Sequence, residues 1–279
     1  MNMGMRTRRL VLRILIGIPL ILFAASIIYP TIWMVLNGFK TDNEIFLTPF
    51  AMPTNFSFNN YIRAWNAGIG RYFFNSLLVT TAASLATTFL CAAAAFPLSR
   101  FQFRGRTFWF MYLLCGLMLA PQVSLISNYK LLQLLGLYDT YWALILPYIA
   151  FRIPFTVFLM WSYFMALPRE VEESACIDGC TSFQTFTKIV LPMSKPILAT
   201  STLLTARYVW NDFMFSLVFT ESSKLKTIPY GLSSMRSQGD VNWSVLLAGL
   251  TISCIPIIII FLAMQRNLLR GMTAGSVKE

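Results

Sequence analysis

Six stretches of this chain are long and apolar enough to cross a lipid bilayer, and this limits the possible folds more than any other feature. A bilayer core needs roughly 20 apolar residues per helix. The stretches fall at 14–36, 72–96, 108–127, 142–166, 197–219 and 244–264. Inside lipid no water is at hand to satisfy backbone polar groups, so such stretches fold as helices. Pro19, Pro30, Pro121, Pro147, Pro154 and Pro256 lie within them. Neighbouring helices can re-satisfy the carbonyls a proline frees. The third stretch is the weakest, because Pro121 and Gln122 interrupt it. Composition agrees: 12% of residues are charged and mean hydropathy is +0.63, against about 25% charged in a soluble domain. The expectation is an all-α membrane protein with six transmembrane helices, forming one membrane domain over 1–279.

Lysine and arginine in the short connecting segments set the orientation. One side carries Arg6, Arg8, Arg9, Arg13, Arg100, Arg104, Arg106, Arg169, Lys188, Lys195, Arg266, Arg270 and Lys278. The other carries Lys40, Arg63, Arg71, Lys130, Lys224, Lys226 and Arg236. The bias places both termini in the cytoplasm and turns 37–71, 128–141 and 220–243 outward. Trp33, Trp65, Trp109, Trp142 and Trp243 fall near span ends, where interfacial aromatics belong. Segment 37–71 reads as a structured loop with a short helix near 58–66. Segment 220–243 is polar, with Pro229, Gly231 and Gly239.

Several function classes drop out. The net charge of +11 is spread between apolar runs, not massed on one face as nucleic-acid binding requires. Histidine is absent, which removes His-dependent catalysis and His metal sites. Cys91, Cys115 and Cys254 lie in apolar runs, and Cys176 and Cys180 lack a further thiol pair or His, so they read as small packing residues. The apolar run after Arg9 continues to Leu36, too long for a cleaved signal peptide.

Residues 172–196, EESACIDGCTSFQTFTKIVLPMSKP, interrupt this apolar chain on the inner side. Pro168 suits a first helical position, and Glu170, Glu172 and Glu173 then fall where the helix dipole favours anions. Asp178-Gly179 ends that helix, since Gly takes a left-handed C′ conformation at little cost. Thr181-Ser-Phe-Gln184 is a capping box that starts a second helix. Phe183, Phe186, Ile189 and Val190 form its apolar face, and Pro192 closes it. A surface lid would account for the amphipathic pattern. A basic protein partner accounts better for acids that the anionic inner leaflet repels.

The same residues resemble a known motif. Glu173-Ser174-Ala175-x-x-Asp178-Gly179, then Ile189-x-Leu191-Pro192 and Pro196, are similar to the EAA loop of ABC-importer permeases, with Ser174 where Ala is usual. The resemblance covers most of the chain and fits the binding-protein-dependent carbohydrate-importer branch, in particular maltose-permease-G-like subunits. Phe74-Asn75-Ser76-Leu77, Ser99-Arg100 through Arg106, Leu135-Gly136-Leu137-Tyr138-Asp139-Thr140, Trp210-Asn211-Asp212-Phe213 and the tail from Gln265 to Lys278 carry it. Phe96-Pro97 and the terminal Glu279 depart from the usual pattern. The resemblance implies a type I ABC-importer permease fold in a bacterial inner membrane. It implies a second, different permease subunit, two copies of a cytoplasmic ATP-binding subunit and an extracytoplasmic solute-binding protein. Loop 168–196 would be the coupling loop, with Glu172, Glu173, Ala175, Ile177, Asp178 and Gly179 as ATPase-docking residues. The chain has no GxxxxGK[ST] loop, so it binds no ATP by that device. ATP and Mg would be used by the partner ATPase, and no cofactor or metal is expected on this chain.

Ionisable residues inside spans are costly and are candidate functional sites. Here they are Arg152, Arg207 and Asp212. They either satisfy one another inside the bundle or line a translocation cavity with Tyr148, Tyr208, Trp210 and Asn211, which supply aromatic faces and hydrogen-bonding groups suited to sugars. Arg207 and Asp212, five apart, align poorly for an ion pair within one helix. Arg207 is unusual for a neutral sugar and suits a uronide or sugar phosphate. The leading expectation is therefore a non-enzymatic permease for sugars or oligosaccharides. The alternative is a same-superfamily permease for another solute, such as sn-glycerol 3-phosphate or an acidic saccharide. A membrane enzyme would want clustered carboxylates, His or a metal motif. A secondary transporter would have only Asp212 as a coupling carboxylate.

Overall fold

The computed structural model describes residues 2–236 and 241–273, with side chains for 13, 15–236 and 241–263. Gly239 and residues 274–279 lie outside the described residues. So do the side chains of Arg6, Arg8, Arg9, Gln265, Arg266 and Arg270. No strand occurs among the described residues. The helices are α1 (Asn2–Asn37), α2 (Asp42–Leu47), α3 (Asn59–Ala64), α4 (Gly70–Arg100), α5 (Arg106–Cys115), α6 (Leu125–Leu134) and α7 (Tyr141–Ala166). They continue as α8 (Glu170–Ile177), α9 (Ser182–Thr185), α10 (Leu191–Met193), α11 (Lys195–Asn211), α12 (Met214–Phe219), α13 (Ile228–Arg236) and α14 (Trp243–Thr273). Four helical segments are long and apolar enough to cross a membrane: Leu15–Asn37, Asn59–Arg100, Tyr141–Ala166 and Trp243–Ala263. Two bent pairs bring the total to six if each is one span.

The chain forms two compact units, Met1–Ile69 with Ser234–Cys254 and Gly70–Ser233 with Ile255–Glu279. In the first, the apolar residues of α1 from Leu15 to Ile32 are exposed on every face, as suits a helix bathed in lipid. Its outer end is built from polar contacts. Lys40 is buried, and its Nζ donates to the carbonyls of Thr48 (2.9 Å) and Pro49 (3.3 Å). Trp33 donates to the same Pro49 carbonyl at 2.9 Å. Asn60 donates to the carbonyls of Gly38 and Lys40. A Cβ on Gly38 would sit 2.7 Å from the Tyr61 hydroxyl and 3.3 Å from the Ala248 backbone, so only glycine fits. Helix α2 was not anticipated from the sequence, although Thr41-x-x-Glu44 is a complete capping box. The Thr54 hydroxyl and the Thr41 amide hold the Glu44 carboxyl down at about 2. Asp42 in turn accepts from the Ser244 amide (2.9 Å) and hydroxyl (2.5 Å) at the start of α14. The expected helix near 58–66 is α3, which runs on through a π turn, Trp65–Ile69, bent at Gly68.

In the second unit α4 packs along α7, and α11 lies against both. Small residues allow the approach: Ala83, Cys91, Ala92 and Ala95 of α4 are fully buried. Close backbone packing of this kind drives helix association where lipid gives no hydrophobic drive. Leu144, Tyr148, Val157, Met160 and Phe164 of α7 fill the other side. Thr88 and Thr202 share a hydroxyl bond of 2.9 Å between α4 and α11.

Two expected spans are not single helices. Within 108–127, α5 ends at Cys115, and the segments Arg106–Met118 and Pro121–Leu134 meet at 89°. Pro121 sits at the start of a 3-10 turn there. Within 197–219, α11 stops at Asn211 and α12 begins at Met214.

The outer ends of the second unit converge on residues 220–228. Asn75 Nδ2 donates to the carbonyls of Lys224 (2.7 Å) and Lys226 (2.9 Å), while its Oδ1 accepts from Tyr141 (2.9 Å). Ser76 Oγ accepts from the Ile228 amide. Asp139, with φ of 55°, accepts from the amides of Glu221 and Ser222. Lys226 Nζ donates to the carbonyls of Ser216 (3.1 Å) and Thr220 (2.5 Å) and stands 4.1 Å over the Tyr230 ring. Burial pulls its pKa below the ordinary lysine value. The Phe-Asn-Ser and Leu-Gly-Leu-Tyr-Asp-Thr signatures thus act as clamps on this outer loop. Asn75→Ala leaves buried carbonyls unpaired and is expected to cost about 2–3 kcal/mol. A lowered melting temperature in detergent, with faster amide exchange over 224–228, is the expected readout; unchanged values would show the clamp to be incidental.

Candidate functional site

The inner surface is built on α8 and α9. Glu170, Glu172 and Glu173 occupy the first turn of α8. The helix begins at Glu170, with Arg169 before it, so Pro168 lies outside the helix and not at its first position. Its C-terminus is a Schellman turn. Cys180 N–H donates to the Ala175 carbonyl at 2.9 Å and Gly179 N–H to the Cys176 carbonyl at 3.1 Å. Gly179 has φ of +79° with no atom within 4 Å of a notional Cβ, so backbone conformation, not space, demands glycine. The capping box of α9 is complete: Gln184 N donates to Thr181 Oγ1, and Thr181 N to Gln184 Oε1. Pro192 does not close the helix that follows. It sits in the first turn of α10, after the π turn Phe186–Val190, where no amide proton is needed. Ser182–Met193 then meets Lys195–Asn211 at 76°.

The expected docking residues divide by exposure. Glu173, Ile177, Asp178 and Gly179 are exposed, Ile177 at 86%. Phe183 joins them at 74%. Ala175 is buried and seats the helix. Glu172 is held within the chain: its Oε1 lies 2.6 Å from Arg100 Nη2, with the side chains 16% and 5% exposed. Arg100 also donates to the Leu167 carbonyl at 3.2 Å. The inner arginine turn therefore anchors α8. Beneath it lies a cavity of about 390 Å³, lined by Phe96, Arg100, Phe101, Glu172, Cys176 and Ile177 among others.

A second cavity, of about 700 Å³, is lined by Arg152, Phe155, Leu204, Arg207, Tyr208, Asn211 and Asp212. It brings together five of the seven residues expected to line a pathway. The other two stand behind it. Tyr148 is fully buried, stacked 5.0 Å from Phe215, and donates to Asp212 Oδ1 at 2.9 Å. Trp210 is 4% exposed, with its ring edge-on to Phe73. Phe155 and Leu204 were missed; they lack the polar groups that mark a span residue, and only spacing from Arg152 and Tyr208 points to them. The break between α11 and α12 is capped by Asp212, whose Oδ1 also accepts from the Phe215 amide at 2.9 Å. Asn211 donates to the Arg207 carbonyl. Arg152 lies 4.9 Å over Phe155 and 5.1 Å over Tyr208. Among the described residues no cluster could hold a metal ion.

Arg100→Gln is expected to leave the partly buried Glu172 without its partner, at a cost of about 1–2 kcal/mol. Limited proteolysis should then cut 168–196 faster, and an exchanged pair, Arg100→Glu with Glu172→Arg, should recover part of the protection. No change in cleavage would show α8 to be held by other contacts.

Residues 1–274 match the family described as binding-protein-dependent transport system inner membrane component. The chain is 51% identical over 259 residues to a probable ABC transporter permease protein, YurM, of Bacillus subtilis, covering 93% of this chain and 86% of that one. It is 34% identical to the trehalose/maltose transport system permease protein MalG of Thermococcus litoralis, over 95% and 97% of the two chains. Its fold is similar to that of a bacterial ABC transporter involved in the import of the acidic polysaccharide alginate. That comparison gives a TM-score of 0.81 at 23% identity, over 96% of this chain and 99% of that chain.

Proposed function

The chain belongs to the binding-protein-dependent transport system inner membrane components, the permeases of ABC importers, and from that premise we propose that it passes sugars or oligosaccharides inward by alternating access. It is a multi-pass inner-membrane, non-catalytic transport subunit. Relatives named for trehalose and maltose, diacetylchitobiose and arabinooligosaccharides support the saccharide reading. An extracytoplasmic binding protein delivers the solute, and a second, different permease subunit completes the pathway. Two copies of a cytoplasmic ATP-binding subunit use ATP and Mg.

The observation that carries the coupling reading is the shape of the inner surface. Ile177 and Phe183 stand exposed beside the acids of α8. Large apolar side chains beside charge are what a protein interface covers as its anchors. The Schellman turn closes the end of α8, and the Arg100–Glu172 pair ties its first turn to the end of α4. A docked ATPase that moves α8 therefore moves α4 through Arg100, and α4 carries the tightest packing of its unit. Uptake driven this way requires ATP and a separate ATPase, and survives collapse of ion gradients.

Gly179→Val forces an L-residue into the left-handed region at about 1–2 kcal/mol. The variant is expected to reach the membrane, while transport falls about tenfold or more as the ATPase docks poorly or hydrolyses ATP without transport. Normal transport with the ATPase bound would remove α8 and α9 from the coupling role.

A further inference from the structure

The cavity beside the α11–α12 break holds two arginines and one carboxylate, and the carboxylate is already engaged. Asp212 Oδ1 accepts from Tyr148 and from the Phe215 amide. Neither Arg152 nor Arg207 has a carboxylate oxygen within 4.0 Å; the one ion pair among the described residues is Arg100 with Glu172. Arg152 lies near the middle of α7, and its Nε is buried without a hydrogen-bond partner. Arg207 is exposed on α11. An arginine deep in a span normally pairs with a carboxylate or a backbone carbonyl. Here the pairing is left open, and Phe155 and Tyr208 fix Arg152 in place by cation–π contact instead.

We propose that this cavity selects saccharides that carry an oxyanion, a carboxylate or a phosphate, which Arg152 and Arg207 hold against the aromatic wall. The inference rests on the importer reading above and narrows its substrate. A planar guanidinium matches carboxylate and phosphate geometry and donates two parallel hydrogen bonds to either. Phe155 and Tyr208 offer flat faces for the sugar ring, and Asn211 and Asp212 offer polar atoms for its hydroxyls. The volume of about 700 Å³ lies in the range of small-molecule sites. The lining carries one more positive than negative charge, Arg152 and Arg207 against Asp212, and a neutral sugar would leave that excess unmatched.

The test uses the complete importer in detergent without its binding protein, so that retention reports the membrane cavity. Equilibrium dialysis compares two matched pairs: digalacturonate with its uncharged dimethyl ester, and trehalose 6-phosphate with trehalose. The acid of at least one pair is expected to be retained about tenfold or more over its neutral partner, the scale of a charge-assisted hydrogen bond. Which pair shows the preference tells carboxylate from phosphate. Arg207→Gln, at an exposed position, should erase most of that preference and Arg207→Lys should keep much of it; Arg152→Gln should act as Arg207→Gln does, with the melting temperature confirming that it folds. Equal retention of acid and neutral forms, or a preference that survives Arg152→Gln with Arg207→Gln, would overturn the inference and leave the importer reading standing. Retention of no saccharide by a complex that hydrolyses ATP would overturn this inference; the saccharide-importer reading falls only if the complex with its binding protein moves no saccharide at the expense of ATP.

Discussion

Every backbone amide and carbonyl that enters hydrocarbon must find a partner within the protein, and this requirement decides where the chain can stop being helical. Departures from helix at membrane depth are tolerated where they are buried or line a cavity. The gap at Asp212-Phe213 meets that condition: Asp212 caps the amide of Phe215, Tyr148 supports Asp212, and the cavity lies on the same residues. The 89° break after Met118 is spanned by 3-10 turns that keep local hydrogen bonds. The places where regular structure fails are therefore places where another group has been supplied.

Much of this could be read from residue order. Apolar length marked the four long helices, because span length is fixed by bilayer thickness. Capping chemistry marked Thr181–Gln184 and Gly179, because those hydrogen bonds are local. Proline position was a poorer guide. Pro168 and Pro192 read as a helix start and a helix end, yet the first precedes its helix and the second lies inside one. A proline is tolerated wherever its missing amide is not needed, and tertiary packing decides among those positions. The same limit applied to Glu172. As an acid in a first turn it reads as a partner-facing charge. Its contact with Arg100, 72 positions earlier in the chain, depends on how α8 folds back on the end of α4.

The motif residues of the outer side teach a related lesson. Asn75, Ser76 and Asp139 are polar groups at span ends, a pattern that residue order alone does not tell from solute contacts. Their hydrogen bonds go to the backbone of 221–228. Backbone carbonyls and amides are satisfied the same way whatever side chains the loop carries. A clamp of that kind fixes the path of 220–228 through its backbone, and the buried Lys226 side chain ties the segment back to Ser216 and Thr220. Ala175 plays the matching part on the inner side, buried under a helix whose exposed face is left to Ile177 and Asp178.

The buried cations show how the chain allocates charge. Lys40 has two carbonyls, Lys226 two carbonyls and a tyrosine ring, and Arg100 a carboxylate and a carbonyl. In each case the cost of removing a charge from water is offset by groups fixed in the fold. Arg152 has aromatic faces alone, and Arg207 stands exposed in the cavity it lines. A fold that supplies acceptors to three cations, yet leaves Arg152 with ring faces alone beside an exposed Arg207 in one cavity, keeps that charge for something that comes and goes. An anion delivered from outside satisfies both arginines while it is bound and leaves them open when it is released. That is the condition a transport site needs: binding strong enough to admit the solute and not so complete within the protein that the solute is redundant.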